Sequence, residues 1–265
     1  MRTMSKLPIL FLGHGNPMHA ISQNTFTHRL KELSVNLPRP RLILCISAHW
    51  MSQGMTQGTY ITHMAMPKTI HDFYGFPQKL FEVEYPAPGS PLDAEKIKNH
   101  LPDFNIQLDD HQWGLDHGTW AVLKHMYPQA DIPVLQLSLN MNQGPEYHYQ
   151  LGQHLRFLRE EGVLIIGSGN IVHNLSRIRW EDNAPAYDWA LEFDRWVKDK
   201  VENNDDAVLV NDATQSASGK LSIPTPDHWY PFLYTLGARD PHDRVITEYE
   251  SVENGSISMR CIRWD

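Results

Sequence analysis

The sequence of 265 residues predicts an α/β fold, a three-layer α/β/α domain with a mostly parallel central sheet and a C-terminal β-hairpin. Three observations predict it. Four short, β-rich, nearly continuous apolar runs recur along the chain, the pattern of strands buried on both faces of a parallel sheet. Segments of helical periodicity lie between them. The chain then ends in two β-patterned runs around Asn254-Gly255, and Asn-Gly is the strongest short-range hairpin signal.

The first strand is expected over Leu7 to Leu12 and the second over Arg41 to Ser47. Met51 to Gln78 is rich in Met, Thr, Gly and Pro and weakly periodic, so it reads as a long loop of the kind that tends to carry function. A helix follows from Ser90 to Leu101, with Ser90 as N-cap and Pro91 in the first helical position. Another opens at His117 and runs to Tyr127. A third strand spans Ile132 to Leu139. Gly144 to Glu161 places Leu151, Leu155 and Leu158 on one helical face and stops at Gly162, which suits a left-handed C-cap. The fourth strand is Val163 to Gly167. Ala186 to Val201 carries Trp189, Phe193, Trp196 and Val197 at helical spacing, and Pro226 to Gly237 reads as a helix begun by proline. Val245 to Tyr249 and Ser256 to Trp264 form the closing hairpin, added to the sheet or packed over its edge. No repeat, low-complexity tract or linker interrupts the series, so residues 1–265 are expected to form a single domain.

Composition narrows the function. Apolar residues make up 41% of the chain and charged residues 20%, too much hydrophobic content for a disordered protein. The formal charge of -8 would repel a phosphate backbone, so no nucleic-acid partner is expected. Cys45 and Cys261 are too few for a disulfide framework or a thiolate zinc site, which fits a reducing, cytoplasmic setting. The apolar run after the basic N-terminal residues ends at Leu12, too early for a signal peptide. No later run approaches the roughly 18 residues of a membrane span, so no membrane partner is expected either.

The chain contains 15 histidines, and several sit at equivalent places. His14 follows the first strand, His49 ends the second and His173 follows the fourth. Strand C-termini of a parallel sheet open on one edge, where such folds place ligands. One such histidine alone could be a capping or core residue; three at one rim, each near small residues, favour a site. Convergent imidazoles from separate elements suit Zn(II) or Fe(II). His228, expected in the first turn of its helix, is a fourth ligand candidate. His117, beside Asp116 at a helix start, could move a proton or donate a hydrogen bond to a substrate oxygen. The segment 71–77 offers three aromatics, either to wall an aromatic ligand or to anchor the loop on the core. Gly13-His14-Gly15 and Gly167-Ser168-Gly169-Asn170 match neither nucleotide-binding glycine pattern, and the motifs of serine hydrolases, zincins and thiol enzymes are missing.

The ordered segments FLGHG (11–15), SAHW (47–50), HDFYGFP (71–77), WGLDHGTW (113–120), SGNIVHN (168–174) and PTPDHWYP (224–231) together resemble the class III extradiol ring-cleaving dioxygenases, most closely the 4,5-DOPA dioxygenase branch of bacterial and plant proteins. The resemblance runs from Ile9 to Gly237 and is weaker over the hairpin. It implies an α/β fold with its site at one sheet edge, a non-haem metal, and insertion of O2 into a catechol next to its diol to give a ring-opened semialdehyde. It also implies that His14, His49 and His228 bind the metal, that His173 lies at the metal as acid/base or as an extra zinc ligand, and that His117 faces the substrate. The wider superfamily uses two histidines and a glutamate; here the third ligand looks like His228. A fourth imidazole at His173 could complete a tetrahedron suited to Zn(II), which cannot pass an electron to O2. The expectation is therefore Fe(II) for activity, with Zn(II) plausible as the bound ion, a small catechol and O2 as partners, His173 as base and His117 as the hydrogen-bonding group. The residues alone leave two rivals, a zinc-dependent hydrolase and a non-catalytic metal-binding protein using the same histidines. They do not define an oligomeric state.

Overall fold

A computed structural model describes residues 6–54, 58–181 and 183–265. Part of the loop expected over Met51 to Gln78, residues 55–57, lies outside the described residues. The strands are β1 (Ile9–Gly13), β2 (Leu42–Ser52), β3 (Thr59–Thr62), β4 (Ile106–Asp109), β5 (Val134–Asn140), β6 (Val163–Gly169), β7 (Val245–Tyr249), β8 (Val252–Glu253), β9 (Ile257–Ser258) and β10 (Cys261–Trp264). The α-helices are α1 (Thr25–Asn36), α2 (Gln78–Phe81), α3 (Pro91–His100), α4 (His117–Met126), α5 (Pro145–Leu155), α6 (Asp188–Glu202), α7 (Asp206–Asn211), α8 (Ala217–Ser222) and α9 (Tyr230–Ala238).

Eight strands form one sheet in the order β4-β3-β5-β2-β6-β1-β10-β7. Its centre, β5-β2-β6-β1, is parallel throughout. The four apolar runs read from the sequence are these four strands. Alternation along them divides the core. Ile9, Phe11, Leu42, Leu44, Ile46, Leu135 and Leu137 face one way, into a cluster with α5, α6 and α9. Leu10, Leu12, Ile43, Cys45, Leu164 and Ile166 face the other, into a cluster with α1 and α4. Each fully buried Leu, Ile or Phe contributes roughly 1.5–3 kcal/mol, so both layers are held to the sheet by its central strands.

The flanks are mixed. β3 meets β5 antiparallel through Ile61 and Leu137, and β10 pairs antiparallel with both β1 and β7. The C-terminal hairpin is nested: β7 and β10 extend the main sheet, and β8 and β9 form a separate two-stranded hairpin inside it. Asn254 (φ 49°) and Gly255 (φ 75°) occupy its turn, the left-handed pair that an Asn-Gly hairpin needs. Gly162 (φ 74°) ends the segment after α5, although that segment is an α-helix only to Leu155 and a 3-10 turn over Arg156–Arg159.

Two placements that matter for the site differ from the sequence reading. β2 runs on to Ser52, so His49 lies within the strand and not at its end. The pairing with β6 stops at Ser47, and the pairing with β5 slips between Ile46 and Met51, so His49 sits on a bulge that turns it off the regular pleat. His228 lies two residues before its helix, in the turn that leads into it. The Pro226 carbonyl accepts from the Trp229 and Tyr230 N–H groups at 3.0 and 2.9 Å, making a turn, and α9 starts at Tyr230 with Pro231 in its first turn.

Candidate metal centre

Strand register brings the candidate residues together. Ser168 on β6 pairs with Leu12 on β1 and with Ser47 on β2, so the segments carrying His14 and His49 start from one row of the sheet. His14 lies just beyond β1, its N–H donating to the Gly169 carbonyl at 3.3 Å. The His228 turn crosses the end of β6, its carbonyl accepting from the Asn170 N–H at 3.2 Å. Only glycine permits that crossing, because a Cβ on Gly169 would lie 2.4 Å from the His228 carbonyl oxygen. Gly118 serves the other side, where a Cβ would lie 2.4 Å from Ser47 Oγ and 3.0 Å from the His49 ring.

The ligand atoms of His14, His49 and His228 lie within 4.8 Å of one another. Their tautomers follow from their partners, because the hydrogen bond at one ring nitrogen fixes the proton on the other. Ser168 Oγ donates to the Gly118 carbonyl at 2.5 Å, so it accepts from His14 Nδ1 at 2.9 Å. Asn170 Nδ2 donates to the Ser258 carbonyl at 2.7 Å, which turns Oδ1 toward His228 Nδ1 at 3.2 Å as an acceptor. His49 Nδ1 faces the Asp72 carboxylate at 3.3 Å. Each imidazole therefore carries its proton on Nδ1 and a lone pair on Nε2.

Nε2 of His14 and Nε2 of His49 are 3.0 Å apart. Two lone pairs at that distance repel unless a cation lies between them. The separation falls within the about 2.9–3.4 Å expected for two nitrogens held at about 2.0–2.1 Å by one ion with angles between a right angle and tetrahedral. Burial, reinforced by the charges of neighbouring imidazoles, pushes all three histidines well below the ordinary histidine value, so they stay neutral and able to ligate. An all-imidazole donor set of this kind fits a borderline divalent ion such as Fe(II) or Zn(II).

His117 and Asp72 form the adjoining wall. His117 Nδ1 and its backbone N–H donate to the two Asp72 oxygens, each at 2.9 Å. The His117 and His49 ring centres are 3.9 Å apart. Burial alone would raise the Asp72 carboxyl, but the hydrogen bonds from the His117 ring and backbone N–H bring it down to about 2. Asp116, next in sequence to His117, has a different task. It caps α4 through the Thr119 N–H and binds Ser47, Gln136 and Trp113, and burial together with the Asp72 charge pushes it up to about 6.

His173 stands apart from the triad. Its ring lies face to face on His228, with centres 3.4 Å apart and planes 9° apart, and its ligand atom groups with those of Asp227 and His228. Burial lowers it to about 4, against the opposing charge of Asp227. In the segment 71–77, Phe73 packs against Phe76, Phe81, Trp120 and His117 while Tyr74 is exposed, so these aromatics mainly anchor the loop. Residue-type reasoning misses Asp72, Ser168 and Asn170. Asp72 is hidden in an aromatic run, and the other two read only as small residues near glycines.

Comparison with known proteins gives this arrangement its context. The family model described as the catalytic LigB subunit of aromatic ring-opening dioxygenase matches residues 3–253. The chain is 42% identical over 262 residues to a 4,5-DOPA dioxygenase extradiol of Escherichia coli K12, covering 98% of this chain and 95% of that protein. It is 36% identical over 257 residues to a protein of the same name from Beta vulgaris, covering 94% and 92%. The crystal structure of an uncharacterized Escherichia coli K12 protein superposes with a TM-score of 0.84 at 38% identity, covering 97% of this chain and 99% of that one. The match settles the choice left open by the residues alone between a dioxygenase and a hydrolase or binding protein: the chain belongs to the LigB family of aromatic ring-opening dioxygenases and is an extradiol ring-cleaving dioxygenase.

Proposed function

We propose that the chain opens the ring of a 4,5-DOPA-type catechol beside its diol, with His14, His49 and His228 holding the metal through Nε2. The observation that carries this reading is the set of three imidazoles, His14 and His228 hydrogen-bonded through Nδ1 and His49 with Nδ1 3.3 Å from the Asp72 carboxylate, two of them with Nε2 atoms 3.0 Å apart. The substrate class rests on the names of the bacterial and beet relatives. Fe(II), when bound, supplies the Lewis acidity that lowers a phenol pKa and the redox activity that ring opening requires, whereas Zn(II) in the same donors gives a bound but inactive form.

The protein's own groups handle the protons. His173 is the base: neutral, stacked on His228 and near Asp227, it takes the proton that the catechol releases, and the Asp227 carboxylate stabilises the imidazolium. Its role as base is preferred to that of a fourth ligand, because its ligand atom groups with Asp227 and His228 and not with the three-histidine group. His117 faces the substrate oxygens. Buried free thiols at Cys45 and Cys261 and the lack, among the described residues, of a helix able to cross a membrane support a cytoplasmic setting. The sheet draws strands from both ends of the sequence, which supports one functional domain over 1–265.

The test is anaerobic loading with Fe(II), followed by an oxygen electrode and absorbance scans with DOPA, caffeate and protocatechuate. O2 uptake with a yellow product is expected for DOPA. Neither signal with any catechol overturns the proposal.

A further inference from the structure

The segment joining β3 to α2 carries one carboxylate into the site, and that carboxylate touches two rings at once. Asp72 Oδ2 accepts from His117 Nδ1 at 2.9 Å and lies 3.3 Å from His49 Nδ1, while Oδ1 accepts from the His117 backbone N–H at 2.9 Å. An ionised carboxylate only accepts, so both rings facing it must carry their proton on Nδ1. An amide in its place would turn a donor toward one of these N–H groups. A hydroxyl lacks a second acceptor oxygen.

Asp72 is also well fastened. On one side His71 Nε2 donates to the Val83 carbonyl at 2.9 Å; on the other, Phe73 packs edge-on against His117 with ring centres 5.5 Å apart. Ile70 is stitched to α4 and the residues just before it, its N–H donating to the Leu115 carbonyl at 2.7 Å and its carbonyl accepting from Trp120 Nε1 at 2.8 Å. The segment that holds Asp72 is thus tied to the start of α4, where His117 sits.

We infer that Asp72 is a positioning residue that sets the tautomers of His49 and His117 together, leaving His49 Nε2 free for the metal and His117 Nε2 as an acceptor for a substrate hydroxyl. The His49 half of this inference rests on the proposed metal reading. The His117 half reverses the sense expected from sequence, where His117 donates to a substrate oxygen: bonded to Asp72 through Nδ1–H, its Nε2 receives a hydrogen bond. A free ring hydroxyl is therefore recognised at this wall, and a catechol whose hydroxyl there is methylated loses that bond.

Long-range 1H–15N NMR on labelled metal-free protein tests the inference directly, with His49→Gln and His117→Gln assigning the signals. Both rings are expected as Nδ1–H, and either ring found as Nε2–H overturns it. In Asp72→Asn the His117 signal should change to Nε2–H. Zn(II) affinity, measured by chelator competition, should fall about 10–100-fold, the usual effect of removing a partner that orients a metal ligand. Asp72→Glu, which keeps the acceptor chemistry, should restore the Nδ1–H signals at least in part. An Asp72→Asn protein with unchanged tautomers and unchanged Zn(II) affinity contradicts the inference, and if that variant does not fold, the wild-type spectrum decides alone. His14→Ala separates the two claims: undiminished Zn(II) binding there defeats the three-histidine metal reading, while the wild-type tautomers still decide the role of Asp72.

Discussion

The two sides of the site are built differently. On one side His14 and His228 are oriented by Ser168 and Asn170, which flank Gly169 at the end of β6 and spend their remaining hydrogen bonds on the Gly118 and Ser258 carbonyls. On the other, His49 sits on a bulge of β2 and His117 at a helix start, both oriented by one carboxylate from a loop. The first side inherits its precision from the sheet and from neutral acceptors. The second depends on an ionised group and the packing of Phe73. His14 and His49 are thus rooted at the central strands, whereas the orientation of the His117 wall hangs on a loop segment packed on the core through Phe73.

Removing a ligand should have the largest effect and should be equal on the two sides. His228→Ala and His49→Ala are each expected to lose Zn(II) or Fe(II) by more than the ~10–100-fold typical of an outer partner, and ring opening with it. Elemental analysis after gel filtration checks this, and retention of the metal by only one variant would show that the sides are not equivalent. Ser168→Ala comes next. It leaves the His14 Nδ1–H unpaired in a buried place, so it should cost about 1–3 kcal/mol in urea unfolding as well as metal affinity. Asp72→Asn, on a partly accessible loop, should lose affinity with a smaller loss of stability.

A pH series sharpens the contrast further. His173 drops to about 4 and His148, a buried histidine on α5, to about 3, and the three ligand candidates are lowered as well. For each, the unfolded chain takes up a proton before the folded one, so stability is complete above pH 6.5 and falls as the pH drops toward the folded value. The metal-free protein should lose up to about 1.4 kcal/mol per pH unit for each such histidine below 6.5. Bound Zn(II) should raise the stability at each pH without reducing that loss, since the metal-bound fold takes up even fewer protons than the metal-free one. Unfolding midpoints at pH 7.5, 6 and 5, with and without Zn(II), provide the measurement. The smallest effect belongs to the loop tip: Tyr74→Ser, at a residue 92% exposed, should change stability by no more than about 0.5 kcal/mol.

Much of this was readable from residues in order. Continuous apolar runs gave away β1, β2, β5 and β6 because strands covered on both faces need no polar alternation. α1 went unread, although Asn24 and Thr27 form a capping box and Phe26, Leu30 and Leu33 lie on one face. β3 was not legible, since four residues in a Thr-, Met- and Gly-rich stretch carry too little pattern and gain their place only by pairing with β4 and β5. His14, His49 and His173 stood out because three histidines recurred after strands on one expected rim, and His228 joined them as a fourth candidate from the start of its helix. Asp72 could not, because its meaning is its distance to rings 23 and 45 positions along the chain. The bulge that turns His49 inward is likewise a product of pairing, invisible in local composition.

The central claim is that three Nε2 atoms share one divalent ion. Crystals grown with Zn(II), or with Fe(II) under anaerobic conditions, and measured at the metal absorption edge would show it in an anomalous difference map. The expected result is one peak about 2.0–2.1 Å from Nε2 of His14, His49 and His228. A peak bound instead by His173 and Asp227, or ligand histidines that turn away from one another around no common ion, would contradict it.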